Sequence, residues 1–393
     1  MKLLYLKAWF FFCLPLTLFG QAEEGSKPRI CLNMIVKNES HVIERAIASV
    51  KSLIDYWVIV DTGSSDGTQE VIRKALEDMP GELYERPWRD FGYNRTEALE
   101  LAKGKADYML FLDADDWLEE SPDFVLSQLD ADVYWARWQS YHVPSFSYMK
   151  PLLVKDTLRC HWEGVIHEYI TWDYAKSQET LTGLTYVFSS QGSRSRNPKK
   201  FQEAARVLEE ALKEEPDNAR YVFYLAESYR DANYPSEALL AYERRAHMGG
   251  WQEEVFWSLL QTAHLKKALN YSYEEVLASY FEAHRQNPSR SEPIYYIAEL
   301  YNQNSAYQLA YDCIKSWQRE LKSDKKDILF SMGWVEDYGL SFQLSIASFY
   351  VCHYQESLDL HGELLANPRL PPLWQEQVLR NREFPLRQLE AKL

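Results

Sequence analysis

Beyond Arg29, short apolar runs alternate with segments whose apolar residues recur at helical spacing, the pattern of βαβ units on a parallel sheet. Ile30-Cys31-Leu32-Asn33-Met34-Ile35-Val36 predicts a first strand, and Val42, Ile43, Ala46, Ile47 and Val50 form the inner stripe of the helix after it. Residues 57–60 predict a second strand that ends at Asp61 in a turn over 61–68. A helix over about 69–76, a short strand around Leu83 and Tyr84, and a helix over 94–102 follow. Residues 108–112 give a strand that runs into Asp113-Ala114-Asp115-Asp116. In open α/β sheets ligands bind beyond the carboxyl ends of the strands, and those ends carry Asn38, Glu39, Asp61, Asp113 and Asp115. A last strand near 185–188 leads into a basic, Gly/Ser-rich link over 191–200, where the alternation stops.

Past Pro198 every stretch has helical period, in pairs. Pro216 and Pro288, and Tyr224-Leu225-Ala226-Glu227-Ser228-Tyr229 and Tyr296-Ile297-Ala298-Glu299-Leu300-Tyr301, each recur 72 residues apart. That is two units of about 36, near the tetratricopeptide period of about 34. Leu240-Ala241-Tyr242 and Leu309-Ala310-Tyr311 mark the second helices, and 251–267 with 274–286 supply the intervening pair. Stacked helix pairs bury a shared core and present a concave face, which suits a protein or peptide ligand. The many aromatic residues, 27 Tyr and 13 Trp, fit packing between such helices better than a ligand platform.

At the N-terminus Lys2 and Lys7 precede an apolar run over 8–20 of about 13 residues, the size of a signal-peptide core and short for a membrane span. Residues 1–22 are thus expected to be a secretory signal or an uncleaved anchor; without either role the protein is expected in the cytoplasm. A length of 393 residues exceeds what one core usually fills, so two domains are expected, 29–197 and 198–393. With 43 Lys and Arg against 58 Asp and Glu, the net charge of −15 offers no field for a nucleic-acid backbone, and no nucleic-acid partner is expected. The five cysteines, at 13, 31, 160, 313 and 352, contain no C-x-x-C pair and read as isolated structural thiols.

A strand that ends in Asp-x-Asp sets hard oxygen ligands at the sheet edge, where a divalent cation, Mn²⁺ or Mg²⁺, can also be held by diphosphate oxygens. Such an ion offsets the charge that develops on a leaving diphosphate. Asp113 and Asp115 are the candidate ligands. Turn capping competes as the role of Asp61 and Asp66, and Asp66 is assigned to it.

Four segments in order, Met34-Ile35-Val36-Lys37-Asn38-Glu39, 60–68, Phe91-Gly92-Tyr93-Asn94-Arg95 and Phe111-Leu112-Asp113-Ala114-Asp115, resemble the motifs of family 2 glycosyltransferases over about 29–195. The resemblance implies a GT-A fold, Rossmann-like, and a hexosyltransferase that takes its sugar from a nucleotide-sugar donor, a UDP-sugar, with inversion. Carried over, Asn38 and Glu39 line the donor site and Asp61 accepts the uracil imide hydrogen. Arg95 lies near the diphosphate, Asp113 reaches ribose or metal, and Asp115 binds the metal. Trp162-Glu163-Gly164-Val165-Ile166-His167-Glu168-Tyr169 resembles the part that supplies the general base, which must take the acceptor's proton as it attacks. Glu168 is the first choice and Glu163 the second. In an unbroken strand His167 and Glu168 would face opposite ways, so a bend is required if both act. His167 reads equally as a third metal ligand or a packed histidine. Arg194 and Arg196 read as a solvated link or as a loop closing over the diphosphate.

Glu227-Ser228-Tyr229-Arg230-Asp231 and Met248-Gly249-Gly250-Trp251 are similar to segments of glycosyltransferases fused to tetratricopeptide repeats. The expected architecture is therefore an α/β GT-A domain followed by an all-α TPR-like domain that holds a protein, peptide or glycan acceptor, or a partner protein. The alternative is a protein-binding scaffold with an inactive transferase-like domain. A nucleotidyltransferase would want a glycine-rich phosphate loop after the first strand, and Lys37-Asn38-Glu39-Ser40 is not one.

Overall fold

The computed structural model describes residues 27–126, 129–143, 147–320 and 329–391. The apolar segment read as signal or anchor, 1–22, lies outside the described residues. Among the described residues no helix is long and apolar enough to cross a membrane. The chain divides into two compact units. The first holds the residues up to Pro87 with Glu97–Cys160 and Trp172–Ser189; the second holds Trp88–Thr96, His161–Thr171 and the chain from Ser190 onward.

The first unit opens with β1 (Ile30–Val36), α1 (Ile43–Val50), β2 (Tyr56–Asp61), α2 (Thr68–Ala75), β3 (Gly81–Glu85), α3 (Phe91–Ala102) and β4 (Tyr108–Phe111). The four strands run parallel in the order β3-β2-β1-β4, as helices between successive strands require. Ile30, Leu32 and Met34 of β1 pack in one core with Ile43, Ala46, Ile47 and Val50 of α1. The one amide inside β1, Asn33, is buried, and its side-chain N–H donates to the Ala98 carbonyl at 2.8 Å.

The parallel βαβ units read from the sequence form the first half of the sheet, and the second half is mixed. There β5 (Trp117–Glu120), β6 (Val133–Ser140), β7 (Ser147–Lys155) and β10 (Gln178–Phe188) extend the sheet in the order β7-β6-β10-β5, with β4–β7, β7–β6 and β10–β5 antiparallel. Only six residues lie between β6 and β7, too few for the crossover that a parallel pair would need. The short strands β8 (Cys160–Glu163) and β9 (Tyr169–Trp172) pair separately. Helix α3 begins at Phe91 rather than Asn94, because the Asp90 carboxylate accepts the Tyr93 N–H at 2.7 Å and caps the turn. The thiols of Cys31 and Cys160 are buried, which pushes them up to about 12 and about 11, the inert state expected of packing cysteines.

After the four-residue α4 (Ser193–Arg196) the second unit is helical: α5 (Lys200–Glu214), α6 (Ala219–Asp231), α7 (Pro235–His247), α8 (Gln252–Ala268), α9 (Tyr273–Gln286), α10 (Glu292–Gln303) and α11 (Tyr307–Glu320). A π-helical turn over Val335–Gly339 runs into α12 (Leu340–Tyr350), followed by α13 (Tyr354–Ala366) and α14 (Pro372–Glu390). Each helix packs on the next, so the repeat legible in the sequence becomes the hairpins α6/α7, α8/α9 and α10/α11, joined by a fourth, α12/α13. Their shared core takes Phe223, Tyr242, Phe256, Leu260, Tyr280 and Ile297, which confirms the aromatic residues as packing. Arg245, 1 % exposed at its side chain, is neutralised by Glu254 at 2.9 Å and donates to the Gly249 carbonyl, as a charge inside a core must be.

His361 of α13 is a buried polar side chain without such a partner. It is 1 % exposed, and neither ring nitrogen has a hydrogen-bond partner. Burial, with the Arg382 charge, lowers its pKa from 6.5 to about 4. The unfolded chain therefore binds a proton at His361 more readily than the folded one, so stability is full above about pH 6.5 and drains as pH falls toward about 4, by up to about 3 kcal/mol. Urea unfolding across this range should show that slope, and H361L should flatten it without lowering the midpoint at pH 7, since an apolar side chain leaves no polar atom unsatisfied.

Candidate active site

In the first unit the turn after β2 is built around Asp61, which is 1 % exposed. One carboxylate oxygen, Oδ1, accepts from the Gly63 and Ser64 N–H groups at 2.8 and 2.7 Å. The other, Oδ2, is buried with no hydrogen-bond partner. An acceptor held without a donor is unfavourable by about 1–3 kcal/mol, and the arrangement keeps it available to a ligand's N–H. Asn38, at φ 59, binds this turn from β1: its N–H donates to Ser64 Oγ and its Oδ1 accepts from Ser65 N–H, both at 2.8 Å. The Glu39 N–H donates to Thr68 Oγ1, and its carbonyl accepts from Val42 and Ile43 as α1 begins. Asp66 does cap: burial opposes its charge, but hydrogen bonds from Thr68 and Ser40 outweigh it and hold the carboxyl at about 2.

Beyond β4 the structure adds residues that sequence reading overlooked. Asp116, the third acid of the run, is 4 % exposed and accepts from Ser189 N–H at 2.7 Å and from the Tyr186 hydroxyl at 2.8 Å. The Tyr186 hydroxyl also lies 3.3 Å from Asp113 Oδ2 and accepts the Asp113 N–H. The Asp115 carbonyl accepts from Arg45 and Ser189 at 2.7 Å each, and Arg45 lies over the Trp117 ring. Burial, then the charges of Asp113 and Asp115, raises Asp116 to about 8. Burial first, and the neighbouring acids second, thus favour the protonated form of Asp116, at a point where three acidic side chains lie close in the chain. Among the described residues no group of three or more His, Cys, Asp or Glu side chains could hold a metal ion by itself. Carboxylate oxygens such as those of Asp113 and Asp115 are of the hard type that divalent cations such as Mn²⁺ and Mg²⁺ take. The signal for Asp116 and Tyr186 was present, as a third Asp and an inward position on β10, but only the sheet order brings them together.

The other candidate side chains belong to the second unit. The bend required between β8 and β9 is real: Gly164 has φ 104 and His167 φ 55, a conformation that is strained by about 1–3 kcal/mol for a residue with a side chain. The bend delivers Glu168 to Arg95, with Nε 2.6 Å from Oε1 and both side chains nearly buried, 11 % and 12 % exposed. Arg95 also lies over the Trp162 ring. Glu163 stays exposed on β8, accepting from the Tyr169 hydroxyl at 2.6 Å beside His161. The His167 ring stacks on Tyr224 at 4.0 Å; desolvation and the charges of Arg194 and Arg220 lower its pKa, so the ring is neutral, and the two guanidinium groups oppose a cation there. Arg194 lies over the Phe91 ring, and Arg196 is exposed at the end of α4.

The start of α3 seats the bend from beneath: Phe91 and Gly92 N–H donate to the Val165 and Gly164 carbonyls at 3.2 and 3.0 Å. A Cβ on Gly92 would stand 2.6 Å from the Gly164 oxygen. G92A should lower stability by about 1–3 kcal/mol, with faster hydrogen exchange confined to the segment around Gly164, measured by denaturation and mass spectrometry.

Residues 31–192 match the family described as Glycosyl transferase family 2. The prophage-derived glycosyltransferase SunS of Bacillus subtilis is 23 % identical over 227 residues, 55 % of this chain and 53 % of that protein. An uncharacterized glycosyltransferase of Rickettsia bellii is 30 % identical over 112 residues, 28 % of this chain and 36 % of the relative. The chain thus spans about half the length of the first relative and about a third of the second. A tetratricopeptide repeat protein of Parabacteroides merdae resembles it over 47 % of this chain and 64 % of its own, at 21 % identity and a TM-score of 0.35. With the parallel β3-β2-β1-β4 core, the acid-rich strand ends and the paired helices, residues 31–192 form an α/β region that matches the family 2 glycosyltransferases, continued by helices with a tetratricopeptide-like period.

Proposed function

We propose that this protein transfers a sugar from a UDP-sugar to an acceptor hydroxyl or thiol, with inversion at the anomeric carbon. The observation that carries this reading is the unsatisfied, buried Oδ2 of Asp61 at the end of β2, the position from which the resemblance has this carboxylate accept the uracil imide N–H. Asn38 and the Glu39 backbone hold the turn that fixes Asp61, so their part in donor binding is to shape the site. Asp113 and Asp115 would hold the divalent ion together with donor oxygens. A bound Mn²⁺ or Mg²⁺ would supply neutralisation of the charge that grows on the departing diphosphate.

Glu168 serves as the base. It takes the acceptor's proton while the acceptor oxygen or sulfur bonds to the anomeric carbon and the bond from that carbon to the UDP oxygen breaks. Arg95 orients Glu168 through their 2.6 Å contact, and the exposed Glu163 is the weaker candidate. Arg194 and Arg196 are the cations available to the diphosphate from the link before the helices. The repeats hold the acceptor, of protein, peptide or glycan type, or a partner protein, which is the use such stacked pairs suit.

Calorimetric titration of UDP, UDP-glucose and UDP-N-acetylglucosamine, with and without Mn²⁺, tests the donor assignment. UDP should bind in a metal-dependent way, D61N should weaken binding at least about tenfold, and D115A should remove the metal dependence. Folded protein that binds none of these nucleotides with Mn²⁺ present would leave the α/β half without a donor and turn attention to a scaffold role for the repeats.

A further inference from the structure

The segment that carries Glu168 is held from two sides, and one of them is the first helix of the repeat array. From α6 the Tyr221 hydroxyl accepts the Val165 N–H at 3.3 Å, and Arg220 Nη2 donates to the His167 carbonyl at 2.8 Å. The Arg220 guanidinium lies over the rings of both Tyr169 and Tyr224, at 4.6 and 4.9 Å. Tyr224 itself stacks on the His167 ring. Ile166 is buried in the cluster formed by Ala204, Leu208, Tyr221, Val222 and Leu225. Every residue of the bend from Val165 to His167 is therefore gripped by the helical region. The grip coincides with a left-handed point of the backbone: His167, at φ 55, is the residue immediately before Glu168. A strained conformation persists only where its surroundings over-determine it.

From this we infer that α6 belongs to the catalytic apparatus, with Arg220, Tyr221 and Tyr224 as positioning residues that hold the 164–168 bend so that Glu168 meets Arg95. The inference rests on the reading of Glu168 as the base. It gives the first repeat a role distinct from holding an acceptor: without it, the bend lacks the contacts that fix His167, and an error of about 1 Å in the base is enough to cost on the order of a hundredfold in rate.

The test uses the full chain with UDP-glucose and UDP-N-acetylglucosamine as donors and water as acceptor, following UDP release, with Y221F, R220Q, R220K and E168Q in parallel. Y221F keeps the ring in its cluster and removes only the hydroxyl, so the fold is retained. Y221F and R220Q are expected to lower kcat by about ten- to a hundredfold with donor KM within about twofold, and R220K, which keeps a donor for the His167 carbonyl, to recover part of the loss. Hydrogen exchange across 163–169 should quicken in Y221F and R220Q while α7–α14 stay as in the parent. Unchanged kcat in Y221F and R220Q with E168Q inactive overturns the positioning role alone. A lowered kcat with exchange at 163–169 unchanged does the same. Full turnover in E168Q overturns the base assignment, and the positioning role with it.

Discussion

Strand β1 is hydrogen-bonded to parallel neighbours on both sides and buried along nearly its whole length, and the chemistry of the first unit follows from that constraint. A strand so placed admits a polar side chain only with a partner, as Asn33 has in the Ala98 carbonyl, so most hydrogen-bonding residues collect just past the carboxyl ends, where the backbone is released from the ladder. Asn38 and Asp61 sit at two such ends and stabilise each other's turns through Ser64 and Ser65. The same geometry keeps one Asp61 oxygen dry and unclaimed.

The acid run after β4 shows a second balance. Three carboxyl groups in four residues are tolerated because Tyr186 and Ser189, arriving from β10, supply donors to Asp116, and because Asp116 keeps its proton. The acidic groups there are accommodated by hydrogen bonds and burial at the end of a strand. In the second unit the means differ: there a charged pair, Arg95 with Glu168, depends on a bend whose geometry is set by packing and carbonyl contacts instead of by a strand end.

Local pattern made the parallel strands, the end of β2 at Asp61, the acid run and the repeat period readable, because each is a matter of apolar spacing or of a few adjacent residues. The mixed half of the sheet was not readable, since β6 and β7 have apolar runs that say nothing about which neighbour they choose. The fourth hairpin, α12/α13, carries aromatic and proline landmarks as well, Ile346-Ala347 with Tyr350 and then Pro368, but Pro368 follows Pro288 by 80 residues and not by 72, so the period does not predict it. Asp116 with Tyr186, and Glu168 with Arg95, lie 70 and 73 residues apart in sequence, so only the tertiary fold states the pairing. The need for a bend before Glu168 was legible from strand alternation, whereas its agents in α6 were hidden among residues that spacing alone assigns to a core.

The close approach of Gly92 to Gly164 bears on how this protein can change over generations. Gly92 has no room for a Cβ, and Gly164 has a φ that side chains avoid, so the two positions are coupled through one carbonyl contact. A lineage that replaces either residue must remodel the bend ahead of Glu168 in the same step. Such a paired requirement acts as a ratchet: the repeats can diversify their outer surfaces freely, while the short route from α3 to the bend is closed to gradual drift.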